Sequence, residues 1–349
     1  MNDFSRTPDI LSRVSALSSA AWAYTSLAAA FELGIVRALG APASAEEIGH
    51  WLDLDPELVA DLLGVLEAVG AVERSGSTYA ATADFEPFRD GSLSRVMRAG
   101  VRSDQLQTAE TFRRARAGTL APGWEHLDPD VLLAQGETAG LFRLAAEHIL
   151  PSLDGLRERL SLPGARFLDV GAGVGVLSSE VCLVYPEISA DCLEPNAAAR
   201  EIGRRRCHEA GLDERVEFIG REVEQLDVVD EYDLALIPQP FLPPEAFARG
   251  IERVLRALRP GGWLLVLALD LPATEPLATA SRRVRARLWG GGAIAEPELL
   301  AGLRGAGFTC AHAHPPVGDY RMFAAQRAPA AARAEGSNGL GPETATARA

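Results

Sequence analysis

The chain of 349 residues has no apolar run approaching the roughly 18 residues needed to cross a bilayer. Its apolar patch from Ala20 to Leu33 is broken by Glu32 and preceded by Asp3, Arg6, Asp9 and Arg13. That start lacks the basic region and cleavage site of a secretory signal, so a soluble cytoplasmic protein is expected. Cysteine is scarce. Cys182, Cys192, Cys207 and Cys310 form no CxxC pair and no zinc-like spacing, which predicts free thiols packed as small hydrophobes and no metal site. An excess of basic residues is also missing: 34 basic against 48 acidic side chains leave a net charge of −14. Such a surface repels nucleic-acid phosphates and anionic membranes. The one arginine run, Arg204 to Arg206, falls in a helical pattern and reads as a solvated face. What is present is ordinary globular composition, 47% apolar and 23% charged, with length enough for two domains.

Four regions separate along the chain. Residues 1–100 open with an alanine-rich apolar helix from 8 to about 40, whose Trp22, Tyr24, Leu27 and Phe31 spread over much of its surface and need a cover. Ser44 and Glu47 form a capping box for a short helix, and Asp55-Pro56 starts a second, Glu57–Val69. Two short β pieces, Ala71–Arg74 and Thr78–Ala81, follow around Ser75-Gly76-Ser77. Helix, turn, helix, hairpin is the order of a winged helix-turn-helix. Residues 101–162 form a mostly helical connector that includes a helix from Glu137 to Leu150. Residues 163–327 alternate apolar runs with amphipathic stretches, predicting an α/β doubly wound, mainly parallel seven-stranded sheet. Its strands are expected at Arg166–Val170, Ala190–Leu193, Val216–Ile219, Leu234–Ile237, Trp263–Leu269, Thr309–His312 and Arg321–Ala325. Residues 328–349, rich in small and polar types, read as a disordered tail.

The chemistry concentrates after the first of these strands, in Phe167-Leu168-Asp169-Val170-Gly171-Ala172-Gly173-Val174-Gly175. Glycines there let the backbone approach a ligand closely, at the strand ends where an open α/β sheet forms its crevice. A dinucleotide fingerprint is GxGxxG, whereas here the spacing is GxGxG and position 176 is valine. A ligand without a pyrophosphate suits that loop better. At the end of the second strand Glu194, followed by Pro195-Asn196, can accept hydrogen bonds from both hydroxyls of a ribose.

Together with Glu231-Tyr232-Asp233-Leu234 and the Leu258-Arg259-Pro260-Gly261-Gly262 turn, these segments resemble four ordered motifs of class I S-adenosylmethionine (SAM)-dependent methyltransferases. With the N-terminal region, the chain resembles their small-molecule O-methyltransferases of secondary metabolism. In that family the winged-helix domain builds a homodimer that closes the substrate pocket. The resemblance implies that Gly171, Gly173 and Gly175 line the methionine part of SAM, that Asp169 orients its ammonium group, and that Glu194 and the adjoining Pro195 hold the ribose. Pro238, which follows strand four, is expected at the same site. Where the family has Gly-Asp after strand three, this chain has Gly220-Arg221-Glu222. Either Glu222 takes the acid's place at the adenine edge, or backbone and apolar contacts hold the base.

One expected group is missing. The family's plant-type enzymes carry a histidine after strand four that deprotonates the acceptor hydroxyl, a service typically worth about 10²–10⁴-fold. Here the stretch is Pro238-Gln239-Pro240-Phe241-Leu242-Pro243-Pro244-Glu245. His148, Glu245 and a water held by Gln239 are the alternative bases. Alternatively, the acceptor is an ionised oxygen or a nucleophilic carbon for which orientation to the methyl group suffices. A third course keeps SAM without methyl transfer, in a hydroxylation, decarboxylation or cyclisation. His126 beside Trp124 reads as loop packing, and the His312/His314 pair lacks a third metal ligand. A transcriptional regulator is the contrasting class. Its recognition helix would be Pro56–Val69, which bears Glu57, Asp61 and Glu67 and no cation, so the domain is better explained as a dimerisation module that binds no nucleic acid.

Overall fold

The computed structural model describes residues 7–330 apart from Ala273. Most of the expected tail, from 331 on, lies outside the described residues. The first helix, α1 (Thr7–Glu32), is shorter than the sequence pattern suggests. Gly34 takes φ +83°, a left-handed conformation that ends the helix, and α2 (Ile35–Ala38) restarts in a new direction. Then come β1 (Ala43–Ser44) and α3 (Ala45–Leu52), the latter closed by the expected box: Glu47 N–H donates to Ser44 Oγ (3.2 Å) and Ser44 N–H to Glu47 Oε2 (2.8 Å). Helix α4 (Pro56–Ala68) is capped by the Asp55 carboxylate. The hairpin β2 (Val72–Ser75) and β3 (Thr78–Ala81) gains β1 as a third antiparallel strand, which the sequence pattern does not reveal. Ile35, Ile48, Val59, Leu63 and Leu66 form a dry core under these elements. The outer half of α1 is uncovered, and Trp22 is 71% exposed.

Helix α5 (Gly91–Ala117), about 40 Å long at 1.5 Å per residue, runs from this domain to the next. It is followed by α6 (Pro129–Glu137), α7 (Phe142–His148) and α8 (Leu156–Leu160). The helix expected from Glu137 to Leu150 is interrupted. A tighter 3-10 turn over Thr138–Leu141 precedes α7, and another containing Pro151 follows it.

The remaining elements are β4 (Arg166–Val170), α9 (Val176–Val184), β5 (Ser189–Leu193), α10 (Ala197–Glu209) and β6 (Val216–Ile219). After them come β7 (Tyr232–Pro238), α11 (Pro244–Ala257) and β8 (Leu258–Leu269). Last are α12 (Pro276–Trp289), α13 (Glu296–Gly305), β9 (Phe308–Ala313) and β10 (Tyr320–Arg327). Their seven strands lie in the order β6-β5-β4-β7-β8-β10-β9, with β10 antiparallel to both neighbours. Successive residues of a strand face opposite sides, and each side is apolar. Phe167, Leu234 and Leu265 pack on one face, and Leu168, Ala235 and Leu264 on the other.

Arg259-Pro260-Gly261-Gly262, expected as a turn before a strand, is drawn into β8 itself as a register irregularity opposite Tyr232 and Leu234. A Cβ on Gly262 would stand 2.9 Å from the Arg259 carbonyl, so that irregularity needs glycine. Beside it Asp233, buried at 3% exposure, accepts from Arg159 Nη1 (2.9 Å) and the Arg166 N–H (3.1 Å) and pairs with Arg259. The chain contains no lysine, so every such fork is a guanidinium, suited to bidentate carboxylate contacts. Cys182, Cys192 and Cys207 are buried free thiols as expected; Cys310 is instead exposed, at φ +53° in β9. Arg204 and Arg205 are exposed, in keeping with a solvated face. Among the described residues, no helix is long and apolar enough to cross a membrane, and no cluster of three or more His, Cys, Asp or Glu could hold a metal.

Candidate active site

The strand order reverses between β4 and β7, the place where doubly wound sheets open a crevice at their carboxyl ends. A cavity of about 510 Å³ lies there. Its floor is the loop after β4. The N–H groups of Gly171 and Ala172 donate to the Leu193 carbonyl (2.7 and 3.2 Å), tying the loop to the end of β5. Gly171 and Gly173 adopt φ of +63° and +56°. No atom lies within 4 Å of where a Cβ on Gly173 would stand, so that backbone faces open cavity.

Gly175 serves a different purpose from the one the resemblance implied. It does not line the cavity. A Cβ there would stand 2.5 Å from the ring of Phe218, and one on Gly203 of α10 would stand 2.3 Å from it. The two glycines form a slot for that ring, which brings α9 and α10 down on the sheet. The GxGxG pattern thus keeps a packing glycine, one position earlier than in GxGxxG.

Glu194 sits at the rim, 8% exposed. Its Oε2 accepts from Gly173 N–H (2.7 Å) and its Oε1 from Asn196 N–H (2.8 Å), so the carboxylate bridges loop and helix start while keeping further lone pairs toward the cavity. Burial pushes its pKa up, opposed by those two N–H groups and Arg200. Asp169 lies beneath, accepting from Ser178 Oγ at 2.6 Å. Burial raises its pKa to about 7; the Ser178 hydrogen bond opposes this and the Glu194 charge adds to it. Two buried carboxyl groups at one end of an apolar cavity favour a cationic ligand.

Pro195, Asn196, Glu222 and Pro238 also line the cavity. Of the candidate bases, only His148 does, exposed at the end of α7. Gln239 and Glu245 are not brought to it. Gln239 is buried with its Nε2 donating to the carbonyls of Gly291 and Gly292 (both 3.1 Å), which ties the side chain to that segment and not to the cavity. Glu245 points to solvent from α11. His126 packs on Trp124 at 4.5 Å between ring centroids, and burial depresses its pKa. His312 and His314 lie 4.9 Å apart without a third ligand. Trp124 and Phe241, the latter in the proline-rich stretch that suits a pocket wall, line the cavity too, whereas the sequence pattern gave no sign of Gln135, Thr138, Tyr320 and Met322. These last four come from α6, the 3-10 turn after it and the antiparallel strand β10, and no local pattern joins them.

The strand order, the glycine loop and the acidic residue at the end of β5 have the layout of a class I methyltransferase fold. Comparison with known proteins agrees. Residues 167–262 match the family described as "Methyltransferase domain". A ubiquinone/menaquinone biosynthesis C-methyltransferase, UbiE of Vibrio vulnificus, is 30% identical over 121 residues, 33% of this chain and 45% of that protein. The chain therefore spans under half the length of that curated relative. Among solved structures, the SAM-dependent methyltransferase SibL is similar with a TM-score of 0.64 at 24% identity, over 91% of this chain and 99% of that one. Human N-acetylserotonin methyltransferase, solved in complex with SAM, gives 0.64 at 17%, over 94% and 100%. Residues 167–262 thus match a methyltransferase domain, on the fold that the solved SAM-dependent methyltransferases share.

Proposed function

We propose that the protein transfers the methyl group of SAM to an oxygen or carbon of a small organic acceptor, and that it works as a homodimer. The observation that carries this is the Glu194 carboxylate, fixed by Gly173 and Asn196 at the rim of a cavity that continues into apolar, aromatic walls. Bound SAM supplies an electrophilic methyl group on a positive sulfonium. Glu194 would accept from the ribose hydroxyls, with Pro195 beside it, and Pro238 would close the space over Gly171, whose Cβ position lies 3.4 Å from its ring. The ionised Asp169 would face the ammonium end, and Glu222 the adenine edge. The wall of Trp124, Phe142 and Phe241 would exclude water and hold a flat acceptor toward the methyl group.

With Gln239 and Glu245 turned away, His148 is the one remaining side-chain base among the three candidates. An acceptor that ionises unaided, or attacks through carbon, needs none, because orientation lowers the barrier. Homodimer formation is supported by the uncovered face of α1, where Ile10, Leu11, Val14, Leu17 and Trp22 are each more than half exposed. Glu57, Asp61 and Glu67 are exposed on α4, which disfavours duplex DNA as a partner.

Calorimetry with SAM and with S-adenosylhomocysteine (SAH) tests the cofactor assignment. Micromolar binding that Glu194→Ala weakens tenfold or more is expected, while tight NAD(H) binding in place of SAM would refute it. His148→Ala lowers turnover markedly if the acceptor needs a base, and leaves it unchanged if not.

A further inference from the structure

The cavity residues contributed by α6, the turn after it and β10 include three polar side chains: Gln135, Thr138 and Tyr320. Their polarity is fixed from outside the cavity, by Trp289 at the end of α12. An indole N–H can only donate. Trp289 Nε1 lies 2.6 Å from Gln107 Oε1, which sets the Gln107 amide with its oxygen toward the indole. The Gln107 nitrogen then donates to Ser103 Oγ (2.7 Å) and Gln135 Oε1 (2.8 Å). Ser103 Oγ also donates to Gln135 Oε1, at 3.1 Å. With its oxygen doubly occupied, Gln135 must present its NH₂ side, to Thr138 Oγ1 (3.3 Å) and toward the Tyr320 phenol, whose pKa the Gln135 side chain lowers. Thr138 gives its own proton to the Gln135 carbonyl at 2.6 Å. With the amide N–H side of Gln135 facing the phenol, the Tyr320 O–H is left to donate into the cavity that it lines.

Burial pushes the Tyr320 pKa up, against the opposing charge of Arg285, so the phenol stays protonated and donates. Arg285 is itself held by Asp319 and Asp104 and lies over the Trp289 ring at 5.1 Å. The surrounding aromatic surface is continuous: Phe241 stacks on Trp289 at 4.5 Å, and Trp124 meets Phe241 edge-on at 5.0 Å.

We propose that Tyr320, oriented by the Trp289–Gln107–Gln135 relay, is a specificity-determining hydrogen-bond donor of the acceptor pocket, and that the pocket selects flat aromatic acceptors bearing a carbonyl oxygen. An acceptor with only a methylene at that position leaves the donor desolvated and unpaired, which costs about tenfold or more in affinity. The proposal rests on the cofactor assignment, and its test separates the two.

The full-length protein is saturated with SAH and titrated, by ligand-observed NMR, with 1-indanone and with indane, which share an outline and differ in C=O against CH₂. The unmodified protein is expected to bind 1-indanone about tenfold more tightly. Tyr320→Phe abolishes the preference while SAH affinity is unchanged, an outcome that a merely structural role would not produce. Gln135→Met, which removes the orienting amide, reduces it. If Tyr320→Phe fails to fold, the Gln135→Met comparison decides. Equal binding of the two probes, no binding of either, or a preference that survives these substitutions overturns the proposal. Failure of SAH to bind the unmodified protein instead refutes the cofactor assignment.

Discussion

Asp169 makes cofactor affinity a pH-dependent quantity. Its carboxyl is buried under the glycine loop with a pKa near 7, against an ordinary value of 3.8. A carboxyl raised in this way binds more protons in the folded chain than in the unfolded one between pH 4 and 7. Folding stability therefore falls as pH rises through that window, by roughly 4 kcal/mol in all at about 1.4 per unit. A cationic ligand reverses the preference, because it stabilises the ionised form. Below pH 7 the ligand's amino group stays protonated, and it must displace the proton from Asp169 to bind. If the bound carboxyl is fully ionised, SAH affinity should rise about 15-fold from pH 5.5 to pH 7. Calorimetry in two buffers of different ionisation enthalpy should detect about half a proton released per ligand at pH 7. Asp169→Asn should flatten both the pH profile of binding and the acid-side gain in stability. Affinity unchanged across that window, with no proton release, would refute the assignment of Asp169 to the ammonium end.

Other consequences are simpler to state. Glu194→Ala orphans the N–H groups of Gly173 and Asn196 and should lower stability by about 1–3 kcal/mol, read as a drop in melting temperature, besides weakening SAM. Gly175→Ala forces a methyl against Phe218 at positive φ; a loss of about 2–4 kcal/mol in chemical denaturation is expected, partly recovered by adding Phe218→Leu. Asp233→Ala leaves Arg159 and Arg259 without their shared carboxylate, costing about 2–4 kcal/mol after allowance for the partial exposure of both arginines. In sedimentation at micromolar concentration the protein should run as a dimer, and Trp22→Glu should shift it toward monomer; a monomeric unmodified protein would count against the proposed assembly.

What the sequence disclosed follows from how local each signal is. The sheet could be read because each strand is a short apolar run between helical stretches, and the glycine loop and Glu194 because their function depends on neighbours in the chain. The capping box at Ser44 was legible for the same reason. Gly34 was not. A single glycine inside an apolar helical pattern ends a helix only when the backbone goes left-handed, and that depends on what α2 packs against. The purpose of Gly175 depends on Phe218, a residue from another strand. Gln239 was a candidate because it follows strand four, where the family's base stands, yet its amide nitrogen is taken up by carbonyls of Gly291 and Gly292, far along the chain. Tyr320 stands in a strand with no motif at all and reaches the cavity only because β10 lies antiparallel beside β8.

Helix α5 gives the two halves of the molecule a common beam. Val101 on it is packed into the N-terminal core, and about two turns further along Gln107 joins Trp289 to the cavity residue Gln135. Cutting the protein down to its sheet domain would accordingly strip one wall from the acceptor chamber while sparing the nucleoside end. A fragment of that kind should still take up SAH, yet lose its discrimination between organic partners. Efforts to redirect selectivity have as much to work with in the N-terminal third of the chain as around the glycine loop.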